Sequence, residues 1–165
     1  MKDLEMFPIQ FIEGFNENEE PSGKPFPTFQ ESSLAIPYIP NMTYGLTVVE
    51  IYGSLKESVK GRLQIYTDHE DRPGKVLLAE ATMMDSGSGE QWQRFELTSS
   101  VVVMPHHRYW LAVERPLNFA FGHADSGKDV SPMGMVQGKW HRHQSGGVWK
   151  FMLRFYGRVL PVATG

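Results

Sequence analysis

The chain has 165 residues, of which 41% are hydrophobic and 21% are charged, and it carries a formal net charge of −3. This length and balance predict one globular domain, and they exclude a general electrostatic attraction to nucleic acid or to an anionic membrane surface. The absence of cysteine excludes disulfides, thiolate metal sites and cysteine nucleophiles, and no apolar run approaches the roughly 18 residues that a membrane-spanning helix needs.

Residues 1–24 are predicted to form an N-terminal arm or a first edge strand. An apolar cluster from Met6 to Phe15 precedes an acidic, polar stretch, and the proline and glycine residues argue against a long helix. Two alternatives stay open: a strand that completes a sheet, or a segment that docks on a neighbouring subunit. The chain starts with acids where a signal peptide has an apolar core, so we expect cytoplasmic synthesis and a virion or lysis-released location. Secretion is expected instead if a signal has been cut away ahead of Met1.

Residues 25–160 are predicted to form one β-domain, followed by 161–165 as a C-terminal tail. The stretch 45–82 sets the pattern, because its branched and aromatic residues alternate with polar ones at a period of two. Leu63 and Ile65 illustrate this alternation, which predicts a strand with one face in water.

The later segments repeat this pattern on the far side of a segment rich in turn formers. Pro73 and Gly74 are expected at the corners of a tight turn there. The clearest buried strand is 108–114, and the longest irregular region is 125–147. About eight or nine short strands without a convincing helix predict an all-β fold, an antiparallel two-sheet β-sandwich with jelly-roll topology.

Several of these segments resemble the lectin-like jelly-roll domains of the choice-of-anchor type, which occur in bacterial surface proteins and in some phage structural proteins. The segments that carry the resemblance are IYTD, VLLAEAT, YWLAVE and FMLRFYG. The resemblance covers about residues 28–158, and the acidic arm and the histidine-rich run KWHRH depart from it. It implies a sandwich with a binding or structural role and brings no catalytic residues with it.

His141 and His143 stand two residues apart, so on a strand both imidazoles would face the same way and could share a metal ion. His123 and Asp125 could add ligands. No carboxylate follows within a few residues, as it does in the His-x-His metal sites of cupin-type jelly rolls. The sequence therefore favours surface histidines over a metal site.

Asp68, Glu70 and Asp71 form an oxygen-rich turn, which is the ligand chemistry that calcium prefers. The spacing is not that of an EF-hand loop, and a solvated turn with Asx-type hydrogen bonds accounts for the same residues. We therefore expect no cofactor, with a structural calcium ion as the alternative.

Two tryptophans flank a glycine-rich loop, and polar side chains lie near them in sequence. Sugars are often held by an aromatic face and a few polar groups, so this region is the candidate ligand-binding site. Its residues are Asp125, Trp140, His141, Arg142, His143, Gln144 and Trp149. Two other interpretations stay open: Trp110 and Trp149 belong to the core while Trp140 anchors a loop, or the aromatic residues form a subunit interface.

The sequence contains neither a nucleophile elbow nor a phosphate-binding glycine loop, so no enzyme is predicted. It predicts a non-catalytic structural module of a larger assembly, a virion or a surface appendage. Such a module would dock on copies of itself or on other subunits through its arm and loops. The alternative is a carbohydrate-binding module that uses Trp140, Trp149 and the loop 125–147. We expect the chain neither to bind nucleic acid nor to insert into a membrane.

Overall fold

The structure is a computed structural model, and it describes residues 7–24, 26–28, 31–55, 61–83, 89–114, 119–143 and 148–160. The described residues form eleven strands and no helix: β1 (Gln10–Phe15), β2 (Ser33–Tyr38), β3 (Tyr44–Leu55), β4 (Arg62–His69), β5 (Arg72–Met83), β6 (Gln91–Val103), β7 (Tyr109–Glu114), β8 (Phe119–Phe121), β9 (Met133–Val136), β10 (Lys139–Arg142) and β11 (Leu153–Val159). The all-β class is confirmed, with more strands than the sequence predicts. Nothing in this part of the chain could cross a membrane as a helix. The predicted tail 161–165 lies outside the described residues.

All eleven strands are hydrogen-bonded into one antiparallel sheet, in the order β1-β11-β3-β6-β5-β4-β7-β2-β9-β10, with β8 paired to the end of β3. The junction between β5 and β6 is short, because only residues 81–83 pair there with 95–97.

The sheet turns back on itself across this junction. The ring of Tyr38 in β2 stacks on the ring of Phe155 in β11 with 3.8 Å between centroids, although five strands lie between β2 and β11 in the sheet. The fold therefore has β-sandwich character. Its two layers are one continuous sheet, whereas the sequence predicts two separate sheets.

One hydrophobic core fills the space between the two halves of the sheet and includes residues from both. In β4, Leu63 and Ile65 are fully buried while Arg62 is exposed, so the predicted alternation is confirmed. The polar residues of this strand face away from the core because a strand turns successive side chains to opposite faces.

The strand β7 is buried on both faces, in agreement with the prediction for this segment. Leu111 belongs to the main core, whereas the preceding residue, Trp110, belongs to a smaller apolar cluster on the opposite face. We call this the outer cluster. Its members, with the two aromatic residues packed against it, are Ala35, Trp110, Ala112, Met133, Tyr66 and Trp140.

The N-terminal segment completes the sheet. β1 pairs with β11 from Gln10 to Phe15, so the strand alternative is the one that the structure shows for these residues. Glu13 fixes the strand to the β2–β3 turn, because its carboxylate accepts hydrogen bonds from the hydroxyl of Tyr38 at 2.7 Å and from the amide side chain of Asn41 at 2.7 Å.

The β4–β5 hairpin turns at Glu70 and Asp71, and the expectation of a turn at residues 73–74 is wrong. These two residues alone separate the strands, and both have positive φ, 51° and 64°, as a two-residue type I′ turn requires. Pro73 lies inside β5. It is tolerated there because, among the described residues, β5 pairs with β6 only at residues 81–83, which leaves an open edge beside Pro73.

Candidate functional site

A cleft of about 880 Å³ lies over the outer cluster. The β4–β5 turn borders it on one side and the β9–β10 hairpin on the other, and Arg108 and residues 128–131 form further parts of its wall. Pockets that hold small ligands in proteins span roughly 300–1,000 Å³. The cleft is therefore large enough for a small ligand or for part of a chain-like one.

The floor of the cleft is apolar. Pro37 and Trp110 are in-register partners on β2 and β7, so their side chains lie side by side on one face of the sheet. Trp110 is only 3% exposed, while Trp140 is half-buried and packs against the outer cluster with part of its ring open to the cleft. Met133 completes this floor.

Polar contacts hold the floor to the β4–β5 turn. The indole N–H of Trp110 donates a hydrogen bond to Asp68 at 2.7 Å. The Arg108 guanidinium donates to Asp71 and lies 4.0 Å from Asp68. The two carboxylates and the guanidinium thus orient one wall of the cleft.

This arrangement bears on the predicted calcium site at Asp68, Glu70 and Asp71. The carboxylates of Asp68 and Asp71 contact Arg108 or Trp110, and the side chain of Glu70 is 85% exposed. Within the described ranges of the chain, no group of three or more acidic or histidine side chains is placed to hold a metal ion. The structure uses the two aspartates to position the wall of the cleft.

The cleft unites residues from both predicted sites. Trp140, His141 and Arg142 of the predicted ligand-binding region line it, and they meet Glu70 and Asp71 of the predicted calcium turn. These two groups are far apart in sequence, and the packing of the β9–β10 hairpin beside β2 brings them together.

Other predicted ligand-binding residues do not line the cleft. Asp125 is exposed outside it. Trp149 packs against the main core and contacts Phe26 edge to face, with 4.7 Å between ring centroids, so the core interpretation applies to it. Gln144 lies outside the described residues.

His141 and His143 line one small cavity, together with Glu31 and Gly134. β10 ends at Arg142, and the backbone N–H of His143 donates to the carbonyl of Pro132 at 3.3 Å. His141 is exposed, whereas the side chain of His143 is 1% exposed and its Nε2 lies 2.6 Å from Oε1 of Glu31. Burial lowers the pKa of His143 and outweighs the opposing effect of Glu31.

The Glu31–His143 pair anchors the hairpin that carries Trp140. Gly134 lies opposite His141 in the hairpin, and a Cβ at this glycine would come within 2.5 Å of the Glu31 side chain. Glycine is therefore needed at this position, because it leaves the space in which Glu31 reaches the buried imidazole.

Sequence reasoning missed Arg108, Trp110 and Lys139 as parts of one site. The alternation in 108–114 was a sufficient signal to place Trp110 on the face opposite the main core. The pattern carried no signal for the pairing of β2 with β9, which brings the hairpin and its Lys139 to that face.

Comparison with known proteins assigns no family. The chain matches no protein-family model and no curated protein. The resemblance to choice-of-anchor jelly rolls therefore stays a prediction, and function is argued from the cleft.

Proposed function

We propose that this protein is a non-catalytic, carbohydrate-binding module and that the cleft over the outer cluster holds the sugar. The observation that carries the proposal is the half-buried ring of Trp140, which lies beside an apolar floor in a cleft that charged side chains of a second hairpin also line. A pyranose ring stacks its C–H surface on such an aromatic face, while side-chain donors and acceptors bind its hydroxyl groups.

The fold supports this proposal. The two halves of the sheet share one core, so the outer face of the half that contains β2, β7 and β4 is available to bind a ligand. A jelly-roll topology of the choice-of-anchor type is the finer fold assignment that we propose, and it accords with the sandwich character and with the antiparallel pairing.

The proposal is non-catalytic because the acids of the cleft serve other groups or lie in solvent. Asp71 contacts Arg108, and Asp129 contacts Lys150 at 2.8 Å. Glu70 is 85% exposed, so its carboxyl group lies in water.

Replacement of Trp140 by alanine tests the proposed function. We expect Trp140→Ala to reduce affinity for any glycan found on an array by about tenfold or more, because the stacking surface is lost. Trp92→Ala is the matched control, since Trp92 is also half-buried but lies in β6 outside the cleft, beneath the Arg154 guanidinium. Calorimetric titration measures both. Absence of binding to every glycan, or equal losses in the two variants, contradicts the proposal.

Assembly with copies of itself or with subunits of a virion or appendage is the second candidate. The observation that favours it is at the β1 end of the sheet, where Ile9 and Phe11 are 42% and 47% exposed. Apolar side chains beside a terminal strand are suited to an interface with another chain. Light scattering at high concentration tests this candidate: oligomers that Phe11→Ser disperses support it, and a clean monomer contradicts self-assembly.

A further inference from the structure

We propose that the ligand of the cleft is an acidic saccharide, one that carries carboxylate or sulfate groups. The inference rests on the carbohydrate-binding function proposed above and specifies its class of ligand. It comes from the charges that line the cleft, which are independent of the aromatic floor.

The cleft is cationic although the chain as a whole is acidic. Five lysine and arginine side chains and three aspartate and glutamate side chains are among the described residues that line it, a balance of +2. The whole chain has a formal net charge of −3. Positive charge is therefore concentrated at the place where a ligand would enter, and such a concentration attracts anions.

Two of these five cations are engaged by other side chains: Arg108 contacts Asp71, and the ammonium group of Lys128 lies 4.3 Å from the centre of the Phe15 ring. The other three are available to a ligand.

By contrast, Arg72, Lys139 and Arg142 are exposed, and none of them forms an ion pair with any other residue that the structure describes. Folding therefore leaves their charges uncompensated.

The three cations surround the aromatic surface. Arg72 begins β5 just after the β4–β5 turn, on one side of the cleft, while Lys139 and Arg142 begin and end the short strand β10, which also contains Trp140. A sugar stacked on Trp140 thus has cations near it from both hairpins. Arginine binds a carboxylate or a sulfate through two parallel hydrogen bonds, which adds specificity for such groups.

The exposure of these cations predicts how the binding depends on salt. Contacts between charges in water are screened over about 10 Å at 0.1 M salt, so their contribution falls as the ionic strength rises. Stacking on Trp140 has no such dependence, because it involves no net charge on the protein side.

The test compares oligosaccharides of equal length: an oligogalacturonide, a sulfated galactan fragment and an uncharged galactan fragment. Calorimetric titration at about 50 mM and about 300 mM NaCl measures each affinity. We expect one or both acidic oligosaccharides to bind at least about tenfold more tightly than the neutral one at low salt. We expect this preference to shrink at high salt. Preference for the first or the second acidic compound identifies carboxylate or sulfate as the group recognised.

The charge variants separate this inference from the proposed function. Lys139→Gln combined with Arg142→Gln should remove most of the preference for the acidic sugar, measured as the ratio of the acidic to the neutral affinity within each variant. Lys24→Gln is the control, since Lys24 is exposed and does not line the cleft. Equal binding of neutral and acidic sugars overturns the inference while the proposed function stands. Absence of binding to all three compounds and to every glycan on the array overturns both.

Discussion

At the scale of single residues, the buried pair of Glu31 and His143 has a consequence for stability. The two side chains are each 1% exposed, and burial lowers the pKa of His143 from its ordinary value of 6.5. A base whose pKa is lower in the folded protein takes up a proton more readily when the chain is unfolded. The contribution of neutral, buried His143 to the free energy of unfolding is therefore fully present above pH 6.5 and is lost as the pH falls below that value.

We expect the free energy of unfolding of the wild type to decrease below pH 6.5, with at most about 1.4 kcal/mol per pH unit from His143. His143→Gln keeps a nitrogen donor but cannot take up a proton, so its profile should be shallower. Urea unfolding between about pH 5 and pH 8 measures both. His107→Gln, at an exposed histidine outside the cleft, should keep the wild-type slope. Parallel profiles for wild type and His143→Gln would show that His143 does not carry this dependence.

At the scale of elements, the two hairpins that border the cleft differ in how far the sequence specifies them. The β4–β5 hairpin follows from strong alternation on both sides of a turn-rich segment, and only the position of its turn was wrongly predicted. Glu70 and Asp71 occupy the turn with positive φ, which is a conformation that non-glycine residues rarely adopt. Contact of Asp71 with Arg108 compensates for this cost at one of the two positions.

The other position offers a stabilising substitution. We expect Glu70→Asn to raise the free energy of unfolding by about 0.5–1 kcal/mol, because asparagine adopts positive φ more readily. Among the described residues, the only ion pair of Glu70 is a long contact with His69 at 4.0 Å. Glu20→Asn is the control, an exposed acid without positive φ, and it accounts for the loss of one negative charge. Urea unfolding of both variants measures the difference. Equal stability of the two variants would show that the turn is not strained at Glu70.

The β9–β10 hairpin could not be predicted from pattern. Its strands lie in a glycine-rich region with short and irregular alternation, and β9 is held by pairing with β2, about a hundred positions earlier in the chain. The turn itself uses positive φ at Gln137 and Gly138. Local alternation cannot predict a strand pairing with so distant a segment. The burial of His143 against Glu31 depends on the same pairing.

At the scale of the whole molecule, alternation predicts which face of each strand is buried but not the order of strands in the sheet. The buried Leu63, Ile65 and Leu111 were predictable because each lies at a regular position in a strand. The stacking of Tyr38 on Phe155 was not, because it depends on how a single sheet folds over. The class of fold was therefore accessible from the sequence, whereas the cleft, which needs strand order, was accessible only in fragments.

The position of β10 at one end of the sheet gives Lys139 and Arg142 a second effect. A terminal strand exposes unpaired backbone groups, and charged side chains along it discourage edge-to-edge aggregation with the strand of another molecule. The two cations that we propose attract the ligand thus also keep copies of the protein apart at this edge. A mutation that removes both charges is therefore expected to lower both the solubility of the protein and its affinity for the ligand. The two properties are coupled at this strand.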